Sequence, residues 1–178
     1  MQVMKLGVYT IPHTGTRFVT SFLRKCGIKH NQRHVASQRT VPEWRHILTV
    51  RHPYDCYLTR KHRMPSENDV NFVAMWGHYI WRTQWMDAFY VPLDVPEDNR
   101  RGVMQTLMTF CNETPDFDII DSWCESWEPV GESERNRSEE IPEHMVAPLA
   151  FACEWYRHYT LNFGPHFRNS RNMNGEGP

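Results

Sequence analysis

GVYTIPHTGTRFVTSFLRKCG, residues 7–27, decides how the chain is read. An apolar run of Leu6, Val8, Tyr9 and Ile11 stops at Pro12, passes a small polar loop, and restarts at Phe18, Val19, Phe22, Leu23 and Cys26. The first part reads as a buried strand over 5–11. The second has helical spacing over 16–26 and is stopped by Gly27. A strand, a polar loop and a helix in that order create a seat for an anion. The first turn of a helix carries unpaired N–H groups and partial positive charge.

Working outward, GIKHNQRHV predicts a second, polar strand, and RHILTV (45–50) a third, strongly apolar one. Pro53 opens a helix with Asp55 early and Arg60, Lys61, His62 and Arg63 late, the charge order a helix dipole favours. A long helix is expected over 68–87, capped by Asn68 or Asp69, followed by the strand AFYVPL (88–93), whose Pro92 marks an edge or an end. Val103, Leu107, Met108 and Cys111 set the next helix, within 97–112. Residues 112–137 read as mostly loop. Ser138 is expected to cap a last helix reaching Leu161, kinked at Pro148, ahead of a frayed tail. Alternating strands and helices predict an α/β chain in three layers, α/β/α, around a mainly parallel sheet. In such sheets ligands sit beyond the carboxyl ends of the strands, where both the 12–18 loop and Arg51 fall.

With 178 residues the chain is long enough for one domain with its own core, expected over 1–163, with 164–178 as a flexible tail. A formal net charge of −1 gives no global reason to expect nucleic acid or a membrane surface as partner. The five cysteines are odd in number, scattered and without a C-x-x-C pair. They read as reduced thiols of a cytoplasmic protein, without a zinc ribbon or disulfide framework. No stretch is apolar for long enough to span a bilayer, and no metal-ligand spacing stands out.

The loop lacks the Gly-Lys pair of a Walker A motif. Its order, Pro12-His13-Thr14-Gly15-Thr16-Arg17-Phe18, resembles instead the 5′-phosphosulfate loop of sulfotransferases that use 3′-phosphoadenosine-5′-phosphosulfate (PAPS). TVRHPYDCYLT resembles the 3′-phosphate element of the same family: an apolar strand, Arg-[Asp/Asn/His]-Pro, and a Ser eight residues after the Arg, here Arg51 and Thr59. The likeness covers roughly the first 110 residues, with AFYVPLD as the strand that ends near an acidic residue. It implies a P-loop-like sulfotransferase fold and transfer of a sulfuryl group from PAPS to a hydroxyl or amine of a small-molecule or glycan acceptor, leaving PAP and needing no metal.

The resemblance implies that Pro12, His13, Thr14, Gly15, Thr16, Arg17 and Phe18 bind the 5′ end and that Arg51 and Thr59 bind the 3′-phosphate. Arg135 or Arg137, in PVGESERNR, is the candidate for a basic loop over the nucleotide. The family's loop Lys is His13 here, so Arg17, always charged, is expected to be the main cation at the leaving phosphate, with His13 assisting. His34 is the preferred general base, with His30 and His78 as other candidates. Phe18 is equally a stacking surface for adenine and the first core residue of its helix. Trp76, Trp81, Trp85, Trp123 and Trp127 read as core or as an acceptor lining. The rival readings are a non-catalytic PAP-binding chain of the same fold and a P-loop kinase-like phosphotransferase.

Overall fold

The computed structural model describes residues 5–11, 15–34, 44–66, 68–83, 88–127 and 141–158. Within them the order is β1 (Leu6–Thr10), α1 (Thr16–Lys25), β2 (Asn31–His34), β3 (Arg45–Val50), α2 (Pro53–Arg63), α3 (Asp69–Thr83), β4 (Ala88–Pro92), α4 (Glu97–Phe110), α5 (Phe117–Glu125) and α6 (Glu143–Arg157). The four strands form one wholly parallel sheet in the order β2-β1-β3-β4. β1 is buried along its length and β3 from His46 to Val50, whereas Asn31 and Gln32 of the edge strand β2 are exposed, which accounts for its polar sequence.

Side chains alternate across the strands and feed two cores. Leu6, Val8, Ile47, Phe89 and Val91 pack beneath α1, α4 and α5. Tyr9, Ile11, Leu48, Val50 and Tyr90 pack beneath α2, α3 and α6. The arrangement is therefore α/β with helices on both faces of a parallel sheet, as the alternation of elements predicts.

Two helix boundaries rest on local chemistry foreseen in the sequence. Gly27 adopts φ +72, and the Ile28 N–H donates to the Leu23 carbonyl (2.8 Å), closing α1 in a left-handed turn. The Asn68 side chain accepts from the Val70 N–H at 2.8 Å and caps α3.

One expectation is refined and one overturned. The stretch 112–137, read as mostly loop, contains a short helix: α5 occupies Phe117–Glu125, capped by Asp116, which accepts from the Ile119 N–H (3.1 Å). Ile119, Ile120, Trp123 and Cys124 turn to the core, and Arg101 of α4 holds Asp121 through two bonds of 2.6 and 3.0 Å. The last helix starts at Glu143 and not after Ser138, with Pro142 as its N-cap. Pro142 disfavours helical backbone at Ile141, so a helix cannot run through that pair from upstream. Pro148 lies inside α6. Ser138, Trp85, residues 159–161 and the tail lie outside the described residues.

The basic end of α2 is only partly solvated: His62 and Arg63 are exposed, whereas Arg60 and Lys61 are engaged by the fold. Arg60 is buried, its guanidinium 4.8 Å from the Phe72 ring and donating to the Asn68 carbonyl (2.9 Å). Asp69 gathers Lys61 Nζ (2.8 Å), the Tyr57 hydroxyl (3.2 Å) and His144 Nε2 (3.0 Å), tying α2, α3 and α6 together. Burial pulls the Asp69 pKa upward, but the hydrogen bonds from Lys61, His144 and Tyr57 outweigh it and leave the carboxyl below its ordinary value. A lowered folded-state pKa stabilises the fold above the unfolded value of about 4 and loses that stabilisation as pH falls further. Asp69→Asn is therefore expected to lower the urea midpoint near neutral pH and to flatten its decline below about pH 4, measured by denaturation across pH.

Gly15 is fixed from two sides. Its φ is +82, and a Cβ there would collide with Leu93 Cδ1, just past β4. Gly15→Ala is expected to cost about 2 kcal/mol or more from backbone strain and overpacking, read as a lower thermal midpoint; Leu93→Ala in the same chain should relieve only the overpacking.

Candidate functional site

The candidate site residues gather at the carboxyl edge of the sheet. β1 leads through α1 outward to β2, whereas β3 leads through α2 and α3 to β4 on the other side. Connections depart in opposite directions from the neighbouring strands β1 and β3, so a crevice opens between their carboxyl ends. Gly15 and Thr16 follow β1, and Arg51 follows β3, so both sequence elements flank that crevice.

At the β1 side, the first closed turn of α1 is the bond from the Val19 N–H to the Gly15 carbonyl (3.3 Å). The N–H groups of Thr16, Arg17 and Phe18 thus have no intrahelical acceptor. α1 has no acidic residue in its first turn and no side-chain cap. The other described helices each carry an acid there. Arg17 is exposed on this turn. The Thr16 hydroxyl is not a free donor: it donates to the Thr10 hydroxyl at 2.7 Å, both groups buried, and so ties the end of β1 to the start of α1. Pro12, His13 and Thr14 lie outside the described residues.

At the β3 side, Arg51 is fully buried and donates from Nη1 to the Thr59 hydroxyl at 3.1 Å. The eight-residue spacing read in the sequence thus brings the two side chains into contact. Arg51 ends the strand and Thr59 lies on the second turn of α2.

The neighbouring helix start is closed by the protein itself. His52 caps α2, its Nδ1 accepting from the Tyr54 N–H (3.3 Å). Asp94, just past β4, accepts from the His52 N–H (2.9 Å) and from the Tyr156 hydroxyl (3.1 Å). The Tyr156 ring lies edge-on to the His52 ring at 5.0 Å. A carboxylate at that N-terminus meets its dipole. Among the described residues, α1 and not α2 is the helix whose first turn meets no acidic side chain.

Strand direction sorts the histidines. β2 runs parallel to β1, with Thr10 opposite His34, so His34 stands at the carboxyl edge and His30, which precedes β2, at the amino edge. His30 is excluded from the crevice on that ground; its Nδ1 lies 3.0 Å from the Ile28 carbonyl oxygen. His78 is on the solvent side of α3.

The aromatic candidates separate too. Trp76 is core, and Trp81 faces solvent. Phe18 packs on Trp127 (centroids 4.5 Å apart) and Trp123 (5.2 Å), with the Arg100 guanidinium 5.5 Å from the Trp127 ring. Phe18 therefore belongs to the rim of the first core. Arg135 and Arg137 lie outside the described residues.

All five cysteines are free thiols. Burial is the leading cause that raises each thiol above its ordinary pKa, that of Cys111 to about 12, so none is an activated nucleophile. Among the described residues no three His, Cys, Asp or Glu side chains group to hold a metal ion, and no helix is long and apolar enough to cross a membrane.

No family model matches the chain, and no curated protein matches it. Residues that sequence reasoning passed over are Thr10, His52 and Tyr156. Thr10 had a visible signal, a hydroxyl where an apolar strand ends, whereas Tyr156 meets Asp94 only through the fold.

Thr59→Val keeps the size of the side chain and removes the acceptor of a buried charged donor. Unfolding without ligand is expected to show a loss of about 1.5–3 kcal/mol, with a smaller loss for Thr59→Ser.

Proposed function

We propose that the chain is a PAPS-dependent sulfotransferase, moving a sulfuryl group to a hydroxyl or amine of a small-molecule or glycan acceptor. The observation that carries the reading is the contact of Arg51 with Thr59 across the crevice from an uncapped, acid-free start of α1, at the ends of paired strands β1 and β3. One nucleotide with phosphate at both its 3′ and 5′ positions answers both elements. PAPS supplies an activated sulfuryl group on the 5′-phosphate and leaves as PAP.

The chain's own groups divide the work. Arg51, held against Thr59 in a buried setting where charge is weakly screened, binds the 3′-phosphate. The N–H groups of Thr16, Arg17 and Phe18 receive the 5′-phosphate, and Arg17 sets a permanent positive charge beside the oxygen on which negative charge grows. Thr16, engaged with Thr10, holds the turn in shape instead of donating to the ligand. Pro12, His13 and Thr14 complete the loop, with His13 assisting Arg17. His34, at the carboxyl edge beside Thr10, takes the acceptor proton.

The kinase-like reading has less support, because the loop has no Gly-Lys pair to hold β- and γ-phosphates.

Thermal shift with PAP, AMP and ATP-Mg tests the binding claim. PAP at a hundredfold excess over its Kd is expected to stabilise by about 2.7 kcal/mol, with AMP much weaker and Arg51→Ala erasing the difference. Equal shifts from PAP and AMP would defeat the reading. Sulfuryl transfer across an acceptor panel separates the enzyme from a non-catalytic PAP binder. Arg17→Ala is expected to lower kcat by about a hundredfold; an intact kcat there, with loss in His13→Ala, reverses those two roles. His34→Ala should remove the acidic limb of the rate profile.

A further inference from the structure

The amino edge of the sheet holds a separate concavity. A cavity of about 410 Å³ opens where α1 gives way to β2, lined by Arg24, Gly27, Ile28, Lys29, His30 and Gln32. α1 starts at the carboxyl edge and runs back to the amino edge. Its 10 residues, about 15 Å of rise, set the cavity apart from Gly15 and Thr16. No residue of the crevice lines it.

The charge of this lining has one sign. Arg24, Lys29 and His30 bring basic nitrogens, Gln32 brings an amide, and no carboxylate lines the cavity. The helix dipole explains part of this, since a base in a last turn meets the negative end. Lys25 serves there too, but it turns toward α5, its Nζ donating to the Ser122 hydroxyl at 3.4 Å. The dipole fades beyond the last turn and gives no account of Lys29 and His30. Arg24 and Lys29 are exposed and meet no acidic side chain among the described residues. Glu113 and Asp116 bear on Cys26, and neither lines the cavity. Cations gathered without a counter-charge repel one another, and an anion seated between them removes that repulsion.

Backbone oxygens that would oppose an anion are already engaged. The Leu23 carbonyl accepts from the Ile28 N–H (2.8 Å) and the Arg24 carbonyl from the Gly27 N–H (2.9 Å). His30 Nδ1 lies 3.0 Å from the Ile28 carbonyl oxygen. A carbonyl only accepts, so Nδ1 carries the proton and donates. That bond fixes the ring and leaves Nε2 for a ligand. The cavity therefore offers a guanidinium fork, an ammonium, an amide and one imidazole nitrogen.

We infer that this cavity binds a phosphate monoester of a small hydroxylated molecule, such as a sugar phosphate. The Arg24 and Lys29 cations match the nearly two negative charges of such an ester at neutral pH, and the planar fork of Arg24 suits its oxygens. The Gln32 amide, donor and acceptor at once, answers hydroxyl groups. A volume of about 410 Å³ falls in the range of small-molecule sites and is more than a bare ion fills. The nucleotide reading plays no part in this inference.

Calorimetric titration of the full chain with glucose 6-phosphate, glucose 6-sulfate and glucose tests it, with amide NMR shifts to locate the site. Glucose 6-phosphate is expected to bind and to move the amides of Gly27, Lys29 and Gln32. The sulfate ester, with one charge, should bind more weakly, and glucose not at all. Arg24→Gln and Lys29→Gln should each weaken binding of the phosphate about tenfold, the loss of one charge-assisted hydrogen bond, with circular dichroism unchanged. Arg17→Ala, at the other end of α1, should leave it as it is. A chain that does not bind glucose 6-phosphate overturns the inference. Binding that Arg17→Ala removes and both Gln variants keep overturns it as well, because the anion then sits at the start of α1. A sulfate ester bound as tightly as the phosphate would refute the match of charges.

Discussion

Strand β1 is hydrogen-bonded on both sides, to β2 through the register Gly7 to Asn31 and to β3 through Leu6 to Arg45. Everything at the carboxyl edge depends on this double pairing. It makes β1 central, sends the first crossover one way and the second the other, and forces the segments after β1 and β3 to leave a crevice between them. Residues 35 positions apart, Thr16 and Arg51, are thereby brought to the same edge. No single residue in that crevice need be unusual for it to form; it is a consequence of connectivity in a parallel sheet.

Hydroxyl and carboxylate clasps hold the edge. Thr10 with Thr16 fixes the exit from β1, Arg51 with Thr59 fixes the exit from β3, and Asp94 with His52 and Tyr156 closes β4, α2 and α6 against one another. Each clasp satisfies a polar group where a strand or helix ends, which is where backbone pairing runs out. Among these junctions the α1 start alone is left without an acid. The proposed donor site thus follows from one omission in an otherwise self-satisfied edge. Gly15 belongs to the same economy: Leu93, just past β4, fills the space beside it and leaves no room for a Cβ.

Most of the fold was legible because its elements repeat simple periods. RHILTV is β3 residue for residue, the helix spacing after Gly15 places α1 within a residue of its observed ends, and Pro53 opens α2 as read. The failures have causes of one kind. α5 is short and sits in a polar, Trp-rich stretch, and only its contacts with α1 and α4 decide that Ile119, Ile120, Trp123 and Cys124 form a face. The start of α6 was set by Pro142, a local rule outweighed in the reading by a capping Ser further upstream. At the candidate site, Arg51 and Thr59 were readable through the resemblance of TVRHPYDCYLT to a family motif, and the eight residues between them, spanning a strand end and two helical turns, bring the side chains together. Phe18 was ambiguous because stacking on a base and packing on Trp127 ask for the same ring.

The sequence by itself determined most of the elements and their order, since strand and helix periods and caps are written in neighbouring residues, and it carried the two motifs read as anion-binding. Only the tertiary structure decided that His34 lies at the carboxyl edge of the sheet and His30 at the amino edge, that Thr16 spends its hydroxyl on Thr10, that Arg60 is buried on Phe72, and that α3 and α6 lie side by side. These are long-range facts. They depend on strand order and on which helices share a layer, and nothing in the residues adjacent to each of them encodes that pairing.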